Sequence, residues 1–341
     1  MQKGHSSLSA GLGKAWKLPV DSRLHDGEEH ASLLREVYIP VNVKAIAAAA
    51  FTVILWGSAF PGIKAGLDAY APGQLALLRY LFASATMIGV ALVRPFRAPH
   101  REDLLGILAL GVLGFAVYHG ALNHGQVTVT AGSASFLVQT APVFATLLAV
   151  LFLGERLSPW GWLGTFVSFG GAALIALGES GELQLAPGAF LVLLAAGTGA
   201  GYFTLQKPYL EHYSPLEITS YAMWTGTGLM AVVWGVDLPA QIAAAPASAT
   251  LAVAYIGVLP GALAYVTYAY VLSQLTVAQT TSLLYLVPLT AVPVAWIWHG
   301  EVPHWTALLG GVITLVGVAL VQRNTVGAAP AQNPPVKRRD G

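Results

Sequence analysis

The chain has 341 residues; 55% are hydrophobic, only 10% are charged, and the mean hydropathy is +0.64. A soluble domain carries about a quarter charged residues, so this shortage excludes an ordinary soluble protein and points to lipid. The net charge is +1 and cysteine is absent, which excludes disulfides, thiolate catalysis and cysteine-ligated metals; no basic surface interleaved with aromatics speaks for nucleic acid.

Residues 1–43 are polar and of mixed charge, with no apolar core of signal-peptide type. They are expected to form a mostly disordered cytoplasmic tail. A bilayer span needs about 20 mostly apolar residues. Ten such runs follow: 44–66, 73–93, 103–123, 127–152, 159–178, 187–206, 216–236, 249–271, 276–298 and 304–321. Residues 322–341 are Pro-rich, end in Lys337, Arg338 and Arg339, and read as a second cytoplasmic tail. The breaks between runs are helix stops and caps, such as Pro72 with Gly73, Gly154 with Glu155, and Gly300 with Glu301.

The runs repeat. Residues 128–174 align without a gap on residues 274–320, and 12 of the 47 positions are identical, among them Pro142/Pro288, Gly154/Gly300, Glu155/Glu301, Gly164/Gly310 and Gly171/Gly317. Earlier in each half the offset is 143, with Phe60/Phe203, Lys64/Lys207, Tyr70/Tyr213 and Pro72/Pro215 identical. The predicted fold is an all-α polytopic membrane protein of ten helices, with a five-helix repeat over 44–178 and another over 187–321. Lys and Arg accumulate on the cytoplasmic side of membrane proteins. With both termini cytoplasmic, only Lys64 falls on the outer side, and Arg79 lies inside run two. An odd unit repeated in tandem inserts upside down, so the repeats are expected to be inverted, the geometry that supports alternating access.

The strings WGSAFPGIKAGL at 56–67 and ALLRYLFA at 76–83, with Pro142 twelve residues before the Gly154–Glu155 pair and the second copy at Pro288–Glu301, resemble the EamA-type members of the drug/metabolite transporter superfamily. The resemblance covers 44–321. It implies ten helices, two inverted repeats, cytoplasmic termini and a place in the bacterial inner membrane. Within that family the chain looks most like bacterial exporters of aromatic and other neutral amino acids. Other members export other metabolites, nucleobases or drugs, which is the alternative reading. A non-transporting membrane protein is the rival from another class, and an enzyme is not expected. The resemblance implies a small amino-acid substrate, no cofactor, and a monomer or weak homodimer.

The acidic residues all fall in tails, loops or helix ends, so a mid-membrane carboxylate for sodium or proton coupling is missing. No metal site is expected: two histidines near one helix end, His119 and His124, do not suffice without further ligands. Arg79 reads either as a partner for a substrate carboxylate or as a tie between helices through backbone carbonyls. His119, beside Tyr118 and with Tyr265 as its repeat counterpart, reads as a substrate contact or as a packed interhelical histidine. Ser135 and Gln139 share one helix face, as do their counterparts Thr281 and Tyr285. Each pair stands just before a helix proline, Pro142 or Pro288, whose missing N–H frees a carbonyl. Such carbonyls survive at depth only in protein or along a cavity, so the Gln139–Tyr285 region is the expected cavity centre. Trp56, Tyr80, Tyr202, Trp224 and Tyr265 fall within runs, where they supply apolar walls. Gly154, Glu155, Gly300 and Glu301 read as helix ends and caps, with structural roles.

Overall fold

In a computed structural model, residues 43–153, 158–178, 186–275, 280 and 283–325 are described, and among them every regular element is helical. They include α1 (Val43–Leu67), α2 (Pro72–Val93), α3 (Arg101–Gly125), α4 (Ala131–Val138), α5 (Ala141–Leu153) and α6 (Pro159–Gly178). The second half gives α7 (Pro187–Tyr209), α8 (Pro215–Trp234), α9 (Leu238–Ala244), α10 (Ala247–Gln274), α11 (Leu283–His299) and α12 (Trp305–Thr325). Seven segments are long and apolar enough to cross a bilayer. The pair α8 and α9, bent by 85°, counts as an eighth. The stretches Leu283–His299 and Trp305–Val321 are apolar but shorter, and they occupy the last two expected runs.

Local chemistry sets the starts. Prolines 72, 159, 187 and 215 stand at first helical positions, where no N–H is needed. Ser214 and Glu217 form a reciprocal capping box on α8. Gly300 ends α11 at φ +66°, a conformation that costs glycine nothing.

The helices define two faces. Lys64 donates to Gln126 O at 2.9 Å at one end of the bundle, and Lys207 donates to Leu272 O at 2.5 Å at the other. These ends are the Lys64 face and the Lys207 face below. The acceptors are equivalent residues at the repeat offset of 146, so each repeat ties its first and third helices with the same bond.

Inversion of the repeats is visible where α6 meets α12. A methyl added at Gly164 would lie 2.7 Å from Gly317 O, and one added at Gly171 would lie 2.5 Å from Gly310 O. Only glycine permits backbones this close. The counterpart of Gly164 is Gly310, yet Gly164 touches Gly317. That crossed pairing is what a two-fold relation produces and a simple translation does not. On such an axis a residue meets its own counterpart. Ser84 Oγ and Thr227 Oγ1 lie 2.9 Å apart, and Thr314 Oγ1 donates to Ser168 O at 3.3 Å.

Two irregularities recur in both halves. The third helix of each repeat has a widened π turn, at Val112–Val117 in α3 and Gly257–Leu263 in α10. Such turns concentrate at functional sites. The expected run 127–152 is two helices broken at Gln139–Thr140, and a 3₁₀ turn, Leu283–Leu286, precedes Val287 at the equivalent place in α11. Pro142 and Pro288 each stand at the second residue after the break, so the expected proline-bearing helices are discontinuous at that depth.

Bonds between the repeats close both faces. Glu301 accepts from Ala131 N at 2.9 Å on the Lys64 face, while Glu217 accepts from Arg97 N at 2.9 Å on the Lys207 face. Glu301 therefore caps a helix of the other repeat and not its own successor α12. Gly154 and Glu155 lie outside the described residues.

Candidate substrate site

A narrow cavity of about 40 Å³ lies on the two-fold axis between the repeats. Counterparts line it from both sides: Trp56 with Gly199, Phe60 with Phe203, His119 with Tyr265, Val138 with Leu284, and Ala141 with Val287. Arg79, Tyr118 and Gln139 complete the polar part of the wall. The volume suits a group about the size of a water molecule. An amino acid enters only if the repeats move apart.

Arg79 is only 2% exposed. Its Nε donates to Ile256 O at 3.2 Å, and Nη1 lies 3.4 Å from His119 Nδ1. Among the described residues no carboxylate pairs with it. Its guanidinium also lies over the Tyr80 ring, 5.4 Å from the centroid, and the side chain lines the cavity. A buried charge without a counter-charge is expensive, which makes this the site's strongest anion-binding group. Because arginine only donates, Nδ1 of His119 accepts and the ring proton sits on Nε2. That Nε2 lies 2.5 Å from Tyr80 Oη and 2.9 Å from Tyr265 Oη.

The aromatic wall is continuous. The Trp56 ring lies 5.1 Å from Tyr265 and 6.1 Å from Phe203 between centroids, and its Nε1 donates to Pro260 O at 3.1 Å within the second π turn. Proline lacks the N–H that an α-turn would use, so the widened turn accommodates it and presents its carbonyl to Trp56. Tyr118 packs edge-on to His119 at 4.6 Å.

The other sequence candidates lie elsewhere. Tyr80 sits behind His119, fully buried against Phe115 at 5.2 Å. Tyr202 packs on the far side of Phe115 at 5.5 Å and accepts from Gln206 Nε2 at 2.9 Å. Ser135 Oγ donates to Gly132 O at 2.6 Å and so turns back on its own helix. Tyr285 packs beside Val143, Val318 and Val321, off the cavity wall, with its hydroxyl buried and unbonded. Trp224 stacks on Phe96 at 5.9 Å toward the Lys207 face and is not in the wall. Thr281 lies outside the described residues. Gln139 is in the wall: its Nε2 donates to Ser135 O at 3.0 Å, and its Oε1 is buried without a partner. Phe60 and Phe203 were missed as site residues, although their identity across the repeats marked them. Among the described residues, no three His, Asp or Glu gather as a metal site.

The EamA-like transporter family matches this sequence twice, over residues 43–177 and 186–323. The chain belongs to that family. A relative from Streptantibioticus cattleyicolor, named a probable terminal-alkyne amino-acid exporter, is 41% identical over 299 residues, covering 86% of this chain and 99% of its own. The Bacillus subtilis transporter YdfC is 41% identical over 264 residues, covering 77% and 86%. A solved crystal structure at 17% identity aligns over 81% of this chain and 95% of its own, with a TM-score of 0.56, and shares the fold. The protein is thus a multi-pass membrane transporter.

Proposed function

We propose that the protein exports a neutral amino acid with an apolar side chain, aromatic or unsaturated, across the bacterial inner membrane by alternating access. The observation that carries this reading is Arg79, buried in the cavity wall with no carboxylate partner among the described residues. A zwitterion's carboxylate supplies that partner, bidentate in the favoured geometry. The wall of Trp56, Tyr118, Phe203 and Tyr265 then receives a flat or linear π-bearing side chain. The relative named for amino-acid export supports the same class. Two inverted repeats around one central cavity give inward- and outward-facing states of similar energy.

The test is flux from proteoliposomes of purified protein loaded in turn with each of the twenty amino acids, propargylglycine, uracil and a cationic drug. Flux of neutral aromatic or unsaturated amino acids, with little for the rest, is the expected result. Flux of uracil or the drug alone would replace the amino-acid reading with the nucleobase or drug one.

A further inference from the structure

The two-fold axis shows what the cavity omits. Ala59, Ile63, Leu122 and Gln139 line it toward the Lys64 face. Their counterparts at the repeat offsets are Tyr202, Gln206, Tyr268 and Tyr285. None of those four lines the cavity; they fill the mirror-image space toward the Lys207 face. The filled half is polar where the open half is mostly apolar.

Three oxygens in that filled half are buried and unbonded: Gln206 Oε1, Tyr268 Oη and Tyr285 Oη. Gln206 is 0% exposed and Tyr268 2%. The Gln206 amide is oriented by its Nε2, which donates to Tyr202 Oη at 2.9 Å and lies 3.4 Å from Thr219 Oγ1. Tyr268 stands at the cavity's edge, 4.9 Å from Trp56 and 4.5 Å from Phe203 between ring centroids. Native proteins leave few buried polar atoms unpaired, and each one is costly. Asn123 Oδ1, Gln126 Oε1 and Gln139 Oε1 are also unbonded toward the Lys64 face, but of these only Gln139 lines the cavity. Three such oxygens on the counterparts of wall residues call for a ligand with several donors.

We propose that Gln206, Tyr268 and Tyr285 form a second substrate subsite on the Lys207 side of the cavity, which takes the ammonium group of the amino acid. This rests on the amino-acid reading above. An ammonium carries three N–H donors and no acceptor, matching three acceptor oxygens. When the Lys207 face opens, the two-fold relation turns this filled half into the open wall, so substrate meets the ammonium subsite first. When the Lys64 face opens, the wall is Ala59, Ile63, Leu122 and Gln139, which offers the ammonium one unbonded side-chain acceptor, Gln139 Oε1, against three on the other side. Binding is therefore tighter from the Lys207 side, and release is favoured at the Lys64 side.

The experiment measures competition in oriented proteoliposomes, with labelled substrate presented at one face at a time. Competitors are the amino acid, its deaminated carboxylic acid and its decarboxylated amine. Unaltered protein should prefer the amino acid to the deaminated acid about tenfold or more at the Lys207 face, the range of one or two hydrogen bonds to a charged group, and much less at the Lys64 face. Tyr268→Phe removes only an unbonded hydroxyl, so the protein should fold normally while that preference falls severalfold at the Lys207 face alone. Gln206→Met should do the same. A preference that is equal at the two faces, or unmoved in Tyr268→Phe, overturns the subsite. So does a loss that strikes discrimination against the amine and not the acid, because the subsite would then hold the carboxylate. Failure of the unaltered protein to move any amino acid sinks the export reading itself and the ammonium ligand with it.

Discussion

Tyr70 and Tyr213 hold equivalent places in the two repeats and fasten opposite faces of the molecule. Tyr70 Oη lies 2.6 Å from Thr250 Oγ1, at the start of α10 in the other repeat. Tyr213 donates to Asp103 Oδ2 at 2.5 Å, at the start of α3 in the other repeat. Each tyrosine follows the first helix of its own half and reaches the third helix of its partner. Tyr70→Phe should loosen the Lys64 face and Tyr213→Phe the Lys207 face. Tyr70→Phe loses one hydrogen bond and Tyr213→Phe two, because Tyr213 Oη also accepts from His100 N at 3.0 Å. Each bond is worth about 1 kcal/mol or roughly a fivefold shift in population. A single cysteine at Ala59, labelled by an impermeant reagent from the Lys64 face, should react faster in Tyr70→Phe and slower in Tyr213→Phe. Equal rates in the two would deny them opposite roles. Burial first, and then the Asp103 carboxylate that accepts its proton, hold the Tyr213 phenol above its usual value of 10.0. The bond is thus intact below pH 10 and is lost only as pH rises through the raised value. The ratio of labelling rates between Tyr213→Phe and the unaltered protein, which cancels the thiol's own titration, should therefore not change between pH 6 and 9.

Orientation in the membrane is open to a direct measurement, because the chain contains no cysteine. Asp68 is exposed on the Lys64 face and Glu211 on the Lys207 face. We expect Asp68→Cys to be labelled from outside the cell and Glu211→Cys only after permeabilisation, following the excess of Lys and Arg on the latter face. The reverse pattern would make the Lys207 face external and turn the export direction around.

Arg79 separates charge from geometry. Arg79→Lys keeps a cation but loses the fork that reaches Ile256 O and His119 together. Its apparent affinity for substrate should fall by about tenfold or more, corresponding to about 1.4 kcal/mol for a lost charged hydrogen bond. Arg79→Gln should fall further. A lysine variant with unchanged affinity would reduce Arg79 to a tie between helices.

Neighbouring glycines in α6 should respond in opposite directions. Gly170 has nothing within 4 Å of an added methyl, whereas at Gly171 the methyl meets Gly310 O and Thr314 N at 2.5 Å. Gly170→Ala should leave stability unchanged or raise it by up to about 1 kcal/mol through helix propensity. Gly171→Ala should cost about 1–3 kcal/mol through overpacking against backbone. Melting temperatures in detergent compare the two directly; a tolerant Gly171→Ala would mean that α6 and α12 can separate freely.

Glu301 offers a test of capping between the repeats. Glu301→Leu removes the acceptor at the start of α4 and should cost about 0.5–2 kcal/mol, the range for a lost helix cap. Amide exchange at residues 131–134 should quicken. Exchange that quickens only in α12 would return the side chain to its own helix.

The fold was legible because it rests on signals that repeat. Apolar length gave the runs, and the shared prolines and glycines gave the repeat and its internal axis. The site was legible only in part. Trp56, Arg79, Tyr118, His119, Gln139 and Tyr265 were singled out as polar or aromatic residues inside runs, and the structure gathers them on one wall. Tyr202 and Tyr285 carried the same signal but fall in the mirror half, because a sequence records depth along a helix and not which half of a symmetric cavity is open. Ser135 carried it too, yet its hydroxyl bonds its own backbone, a choice that sequence spacing does not encode. The π turns left no mark beyond Pro260, since widening by one residue does not disturb an apolar run.

The pairs that meet on the axis have a consequence for origin. A chain whose halves cross as α6 and α12 do has the interface of a homodimer joined end to end. In such an ancestor each axial residue would have faced an identical copy. At two crossings the present chain stays close to that condition, with Ser84 facing Thr227 and Ser168 facing Thr314. At the third, beside the cavity, His119 faces Tyr265. Of the three axial pairs, the one in the cavity wall has diverged furthest, although Phe60 and Phe203 beside it stay identical. A fully symmetric wall would offer equal affinity from the two faces; the His119–Tyr265 difference lets the two affinities differ, while the substrate gradient sets the direction of net flux.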